Sequence, residues 1–411
     1  MTAPQPALET PERDHRASEW TPATDETFGS AHADYAELRR ANPFPWSHEY
    51  GGFWAVTTYD DIVNLANDER FITSIQNVVP RVPRATRRPP GHYDPPEHGE
   101  YRAAIDPIFR RVNLRAHEES FQASATTLIA AMLERGHADA VQDLAAPFVV
   151  DCFASLLGVS ADLAHHIRTV GVRYTFAIQD MDEQVVGECS AELYVIAENV
   201  YRARLSQRPD PSTDLVASLH AAALDPNTAI TETTAIATVR QLIVAGMGAP
   251  QAVIGSSIAH LALDQSLQAY LRTHPEELPA AIEELLRLHS PYRVFARTAS
   301  EDVVVHGRLV REGEPVAMLF PSGNRDGRVF EDPDVFKLNR KGNSHLAFGR
   351  GPHKCPAAAM GRREIAIALR TLLESTETFE LSGDIKMMNW LEYGPRSVPL
   401  SLVPRETPEF R

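Results

Sequence analysis

Apolar residues recur every three to four positions through much of the chain, a period that lays them along one face of a helix. The pattern is clearest over Phe121–Glu134 and Ala191–Arg204. Apolar runs of strand length are fewer: Phe53–Thr57, Val303–His306, Pro315–Leu319 and Val398–Val403. Residues 1–30, rich in Pro, Thr, Glu and Ser, read as a disordered or extended lead-in. From Pro80 to Pro96, prolines remove backbone donors and fix φ, which makes this segment a loop. Its four arginines (Arg81, Arg84, Arg87, Arg88) read as a solvated face. The expected architecture is mainly α with a small β region.

Composition narrows the function. With 411 residues, 43% hydrophobic and 23% charged, the chain is an ordinary globular protein. Length alone suggests two or three domains, yet no internal repeat or low-complexity linker divides it. The net charge of −15, from 55 acidic and 40 basic residues, is the wrong sign for a nucleic-acid binder or for an anionic membrane surface. The N-terminus lacks the apolar run of a signal peptide. The longest apolar stretch, Leu242–Gly255, is interrupted by Gly246, Gly248, Pro250 and Gln251 and is too short to span a bilayer. Cys152, Cys189 and Cys355 have neither zinc-type spacing nor a disulfide framework. A cytoplasmic protein is expected, and at least one of the three cysteines needs a reason.

The reason lies in HLAFGRGPHKCPAAAMGRREIAIALRTLLE, residues 345–374. A glycine-punctuated loop delivers Cys355 to the start of an amphipathic helix. Gly349 and Gly351 give backbone freedom, and the helix start offers unpaired N–H groups that favour a thiolate, the form that ligates a metal. Arg350 and His353 add donors nearby. A lone cysteine there would be inert packing; Phe348, Gly349, Gly351, His353, Cys355 and Ala357 in step are not.

This segment resembles the haem-ligand loop of the cytochrome P450 superfamily, F-G-x-G-x-[HR]-x-C-x-[GA]. Three further segments match in family order. Glu284 and Arg287 fit the E-x-x-R pair, with Arg340 completing its network. Asp94-Pro95-Pro96-Glu97-His98 with Arg102 fits the opening of the helix beside the haem, and Arg297 fits the propionate-binding arginine. The resemblance implies one P450 domain over residues 31–411. It implies haem b with Cys355 as metal ligand, and His98, Arg102, Arg297 and His353 as partners of the propionates. Glu284, Arg287 and Arg340 carry over as structural. Electrons are expected from NAD(P)H through a separate ferredoxin (or flavodoxin) and its reductase. Arg102, Arg111, Arg362 and Arg363 are either a basic docking face for that partner or solvated charges.

One departure from the family pattern stands out. The long central helix, about residues 231–263, should carry an acid followed by Thr; here Gly248 and Ala249 occupy the catalytic acid and alcohol positions. Neither can manage proton delivery. Pro250 lacks an N–H for the Gly246 carbonyl, so a kink is expected there. Either water or substrate replaces the pair, or the chemistry does without it, as in family members that demethylate aromatic ethers, nitrate aromatic amino acids or couple aromatic rings. In family register the substrate pocket includes Ala245, Ala249, Arg293, Phe295, Leu391 and Glu392. The stretch Asn389–Tyr393 resembles that of the nitrating members. Arg293 and Glu392 either clamp a zwitterion, or pair with each other or point to solvent. The expected function is O2-activating oxidation (hydroxylation, demethylation, nitration or oxidative coupling) of a small aromatic or amino-acid- or peptide-derived secondary metabolite. The alternative is a haem-thiolate binding or sensor protein without catalysis.

Overall fold

The central sheet forms because its strands are buried on both faces, the situation that favours short continuous apolar runs over strict alternation. The computed structural model describes residues 17–23, 26–82 and 87–405. The sheet runs in the order Trp46–Ser47, Phe53–Val56, Pro315–Leu319, Val294–Ala299, Phe71–Ile72. Phe53–Val56 lies parallel to Pro315–Leu319, with Trp54 opposite Val316. Val294–Ala299 is antiparallel to Pro315–Leu319 and sets Arg297 opposite Val316. The sequence pattern missed Val294–Ala299 and also Thr376–Leu381, which pairs with Pro399–Pro404.

Helices make up the rest, and their apolar faces merge into one large core containing Phe121, Phe148, Leu193, Ile254 and Leu369. Phe121–Glu134 falls inside the helix Glu118–Arg135, which stops at Gly136 with φ +69°. Ala191–Arg204 falls inside Glu183–Ser206, capped by the Asp182 carboxylate. Ala140–Leu157 and Glu232–Leu263 are long and apolar enough to cross a bilayer, but they are 78% and 72% buried within the protein. Their hydrophobicity serves the core.

Three expectations need correction. The central helix is two helices, Glu232–Ala245 and Gly248–Leu263, so the kink expected at Gly246 is a complete break over Gly246–Met247. Gly248, Ala249 and Pro250 form the first turn of the second helix, where a proline gives up a donor that has no intrahelical acceptor anyway. The lead-in is tied down where it is described. Trp20 packs edge-on against Tyr35 and Phe53, Glu19 binds Arg308, and Glu26 binds Arg293; residues 1–16 and 24–25 lie outside the described residues. Arg88 is not solvated either: it is 6% exposed and donates to the Tyr174 hydroxyl at 2.8 Å. Arg84 falls outside the described residues.

Candidate active site

The loop before Ala358–Ser375 turns on two glycines, Gly349 at φ +70° and Gly351 at φ +69°, a region that side chains with a Cβ avoid. A Cβ on Gly351 would also collide with the Ala66 carbonyl. Within the loop the Cys355 N–H donates to the Phe348 carbonyl (2.8 Å) and the Lys354 N–H to that of Gly351 (3.1 Å). Arg102 clamps the loop from outside. Its Nη1 donates to the carbonyls of Pro352 (2.8 Å) and Lys354 (2.9 Å), while Nε and Nη2 bind Asp106 at 2.6 and 3.0 Å. Four of its five N–H groups are thereby used, which makes Arg102 a strut for the cysteine loop. Arg350 also turns away, to Tyr59 and the Ser344 carbonyl.

Cys152 and Cys189 are buried in the apolar core, whereas Cys355 keeps accessible surface. The helix start does pull the Cys355 pKa down, through the Ala357 N–H, but in the protein alone burial outweighs it. Burial pushes the thiol up to about 11, against the opposing pull of the Ala357 N–H and of Arg102. Removing a thiolate from water outweighs one hydrogen bond and a helix dipole. A metal ion on the sulphur reverses that balance and takes the proton off outright.

Behind the loop, Glu284 is saturated. Its oxygens accept from Arg287 Nη2 (2.8 Å) and Nε (2.9 Å), from Arg340 Nε (2.9 and 3.1 Å), from the Lys337 N–H (3.0 Å) and from Asn343 (3.2 Å). Arg287 also donates to the carbonyls of Asn324 (2.9 Å) and Pro333 (2.6 Å). Burial raises the Glu284 pKa, but the arginines and the Lys337 N–H win, and the carboxyl lies below its ordinary value.

His98, Arg297 and His353 converge on the other side of the loop. The two imidazoles are 4.2 Å apart, and His353 Nε2 lies 3.4 Å from the Thr73 hydroxyl and 3.9 Å from Asp94. Burial, reinforced by neighbouring arginines, brings His98 down to about 4 and His353 to about 3. Among the described residues, His98 Nε2 is buried with no partner. The single hydrogen bond of Arg297 there goes to the Ala296 carbonyl (2.9 Å), although the residue is 5% exposed. Buried donors left open in this way are costly unless an anion completes them. They fit the two carboxylates of haem b, just as Cys355 fits its iron.

The opposite wall is built from the helix break and the C-terminal turn. Ala245 ends the first helix with open surface, and Ala249 is half-buried in the first turn of the second. A Cβ on Gly248 would lie 3.0 Å from Glu392 Oε1, and a Cβ on Gly394 would collide with Ala252. The turn carrying Glu392 is stitched to the strand before it: the Arg293 N–H donates to the Leu391 carbonyl (3.0 Å) and the Tyr393 N–H to that of Pro291 (2.8 Å). Glu392, 6% exposed, therefore delivers a carboxylate to the spot where the helix itself offers none. Leu391 packs in the core beside the sheet, and Phe295 lies between the tilted rings of Tyr292 (4.6 Å) and Phe320 (6.1 Å).

Arg293 does not serve the pocket. It is 1% exposed, and its donors go to Glu26, the Tyr35 hydroxyl and the Trp390 carbonyl. The zwitterion clamp drawn with Arg293 is withdrawn. Two residues went unnoticed in the sequence. Gln251, one turn beyond Gly248, lines a small cavity with Gly171, Thr175, Met247 and Met388. Tyr292, whose phenol is raised by burial and then by Glu392 and Cys355, sits within electrostatic reach of both. The basic docking face also dissolves in part. Arg102, Arg362 and Arg363 are paired with Asp106, Glu283 and Glu118 at 2.6, 2.6 and 2.7 Å, which leaves Arg111 exposed.

A cysteine presented by a rigid loop, a saturated carboxylate–arginine network behind it and open buried donors beside it define a haem-thiolate protein. The chain belongs to the cytochrome P450 family, whose family model matches residues 183–390. It is 32% identical to nocardicin C N-oxygenase of Nocardia uniformis over 90% of this chain and 94% of that one. It is 27% identical to the steroid C26-monooxygenase of Mycobacterium tuberculosis over 89% and 98%. Among solved structures, CYP109E1 of Bacillus megaterium with testosterone superposes with a TM-score of 0.80 at 26% identity, covering 91% of this chain and 98% of that one. The protein is an oxidoreductase of the monooxygenase type, with haem iron as its cofactor.

Proposed function

We propose that this P450 oxidises a small aromatic metabolite derived from an amino acid or peptide, and that Glu392 receives an amine of that substrate. The observation that carries the reading is the approach of Glu392 Oε1 to Gly248. A carboxylate confined in a mostly apolar pocket favours a cation beside it, because a charge-assisted contact is strong where water is scarce. The side chains around it suit an aromatic body: Tyr292 and Phe295 beside it, and Phe176 on the cavity wall. The relative named for N-oxygenation supports a nitrogen-bearing substrate.

When bound through the Cys355 thiolate, the haem supplies oxygen activation, with electrons from NAD(P)H through a ferredoxin or flavodoxin and its reductase. His98, His353 and Arg297 hold its carboxylates, and Arg102 fixes the loop. With Gly248 and Ala249 unable to pass protons, Gln251 and the Glu392 carboxylate are the polar groups that order water at the helix break.

Glu392→Gln tests the reading. Binding of aromatic amines, followed as the low- to high-spin change at the iron, should weaken roughly 10- to 150-fold, the worth of one charge-assisted contact. Neutral ligands such as imidazole should bind as before. Equal amine binding in parent and variant would refute the role.

A further inference from the structure

Far from the cysteine loop, the first half of the central helix carries a guanidinium in an unusual place. Arg240 is fully buried on Glu232–Ala245, and its Nε and Nη1 find no hydrogen-bond partner among the described residues. Its Nη2 reaches the Ser190 hydroxyl at 3.2 Å, and the group lies over the rings of Tyr174 (4.8 Å) and Tyr194 (5.6 Å). A second buried arginine, Arg88, comes from the proline-rich loop and donates to the Tyr174 hydroxyl at 2.8 Å. Among the described residues, neither guanidinium is ion-paired with a carboxylate. Tyr174 is the nearest substitute: burial raises its pKa, but Arg240 and Arg88 bring it below the ordinary phenol value.

Two buried positive charges around one phenol make a poor structural device, since an uncompensated buried charge costs stability. They make a good receptor for an anion. We infer that Arg88, Tyr174 and Arg240 form a binding site for a carboxylate carried by the substrate. Tyr174 lies one turn beyond Gly171, which lines the cavity that reaches Gly248. Arg240 lies eight residues before Gly248, across the helix break. A carboxylate for Arg240 and an amine for Glu392 on one molecule describe a zwitterion such as a short peptide. That pairing rests on the proposed amine role of Glu392; the anion site does not.

The test uses haem-loaded protein and two acid–amide pairs: Tyr-Gly-Tyr with its C-terminal amide, and decanoate with decanamide. Binding is read from the spin-state change and by calorimetry. The acid should bind roughly 10- to 150-fold more tightly than its amide. Arg240→Met should abolish that preference and Arg88→Met reduce it. Without ligand, Arg240→Met should melt no lower than the parent, because the charge it removes is unpaired; a clear fall would make Arg240 structural and overturn the proposal. If the peptide pair binds without preference for the acid, the anion site falls and the peptide reading stands. If only decanoate shows the preference, the anion site stands and the aromatic peptide reading falls. If neither acid binds, or Arg240→Met keeps the preference, the anion site is refuted.

Discussion

The two walls that face the haem position are built on opposite principles. On the cysteine side the groups that brace the loop are spent on the protein: Glu284 accepts six hydrogen bonds, and Arg102 ties the cysteine loop to Asp106. On the side of the helix break, donors stay open for other molecules: Arg240 has two nitrogens without partners among the described residues. Glu392 is set against Gly248, a bare glycine. The first wall is organised to hold one cofactor in one geometry, and saturation provides that rigidity. The second is organised to recognise something that comes and goes, and open donors and acceptors are what a ligand can bind.

The contrast breaks first at Cys355. Cys355→Ser removes the one soft ligand, so the red-shifted Soret band of the reduced carbon-monoxide complex should disappear altogether. Serine at Cys152 or Cys189, both in the apolar core, should leave the band in place; loss of the band with either of them, and not with Cys355, would reverse the ligand assignment. Next in size is Glu284→Ala. It strands Arg287 and Arg340 in the interior, at a cost of about 3–5 kcal/mol. Haem incorporation and the chemical-denaturation midpoint should both drop. A haem-loaded variant as stable as the parent would mean that saturation is not what stiffens this wall.

Legibility in the sequence follows the same division. The cysteine wall is made of contiguous segments whose spacing is itself the geometry: two left-handed glycines, and a Glu and an Arg three apart on one helix. The other wall depends on contacts between distant segments. Arg293 stands just before the strand Val294–Ala299, but its direction is decided by Glu26, 267 positions away, and local patterning carries no information about that pairing. Glu392 was legible as a pocket residue; its approach to Gly248 was not. Arg240 did leave a signal, as the one Asp, Glu, Lys or Arg between Glu232 and Asp264. An isolated charge in an apolar helix needs an explanation, and Arg240 should have been weighed as a site residue. Of the arginines of the proline-rich loop, Arg81 and Arg87 face solvent as composition suggests, whereas Tyr174 takes Arg88 inside.

The smallest effect belongs to Pro250, and its sign distinguishes two accounts of the helix break. If the proline strained a helix that would otherwise run on, Pro250→Ala should stabilise the protein by up to about 3 kcal/mol, the cost of a proline within a helix. The geometry argues differently. The first helix ends at Ala245, the second begins at Gly248, and the first backbone bond after the proline runs from the Gln251 N–H to the Met247 carbonyl at 3.2 Å. Pro250 therefore stands in an opening turn, where no i−4 partner is due and its fixed φ is already helical. Alanine there gains little and returns freedom to the unfolded chain, a loss of about 0.4–1 kcal/mol. Equilibrium denaturation of the two proteins measures the difference directly. A gain near 3 kcal/mol would mean that the break is imposed on one continuous helix, and that the space Glu392 enters exists only because the proline holds it open.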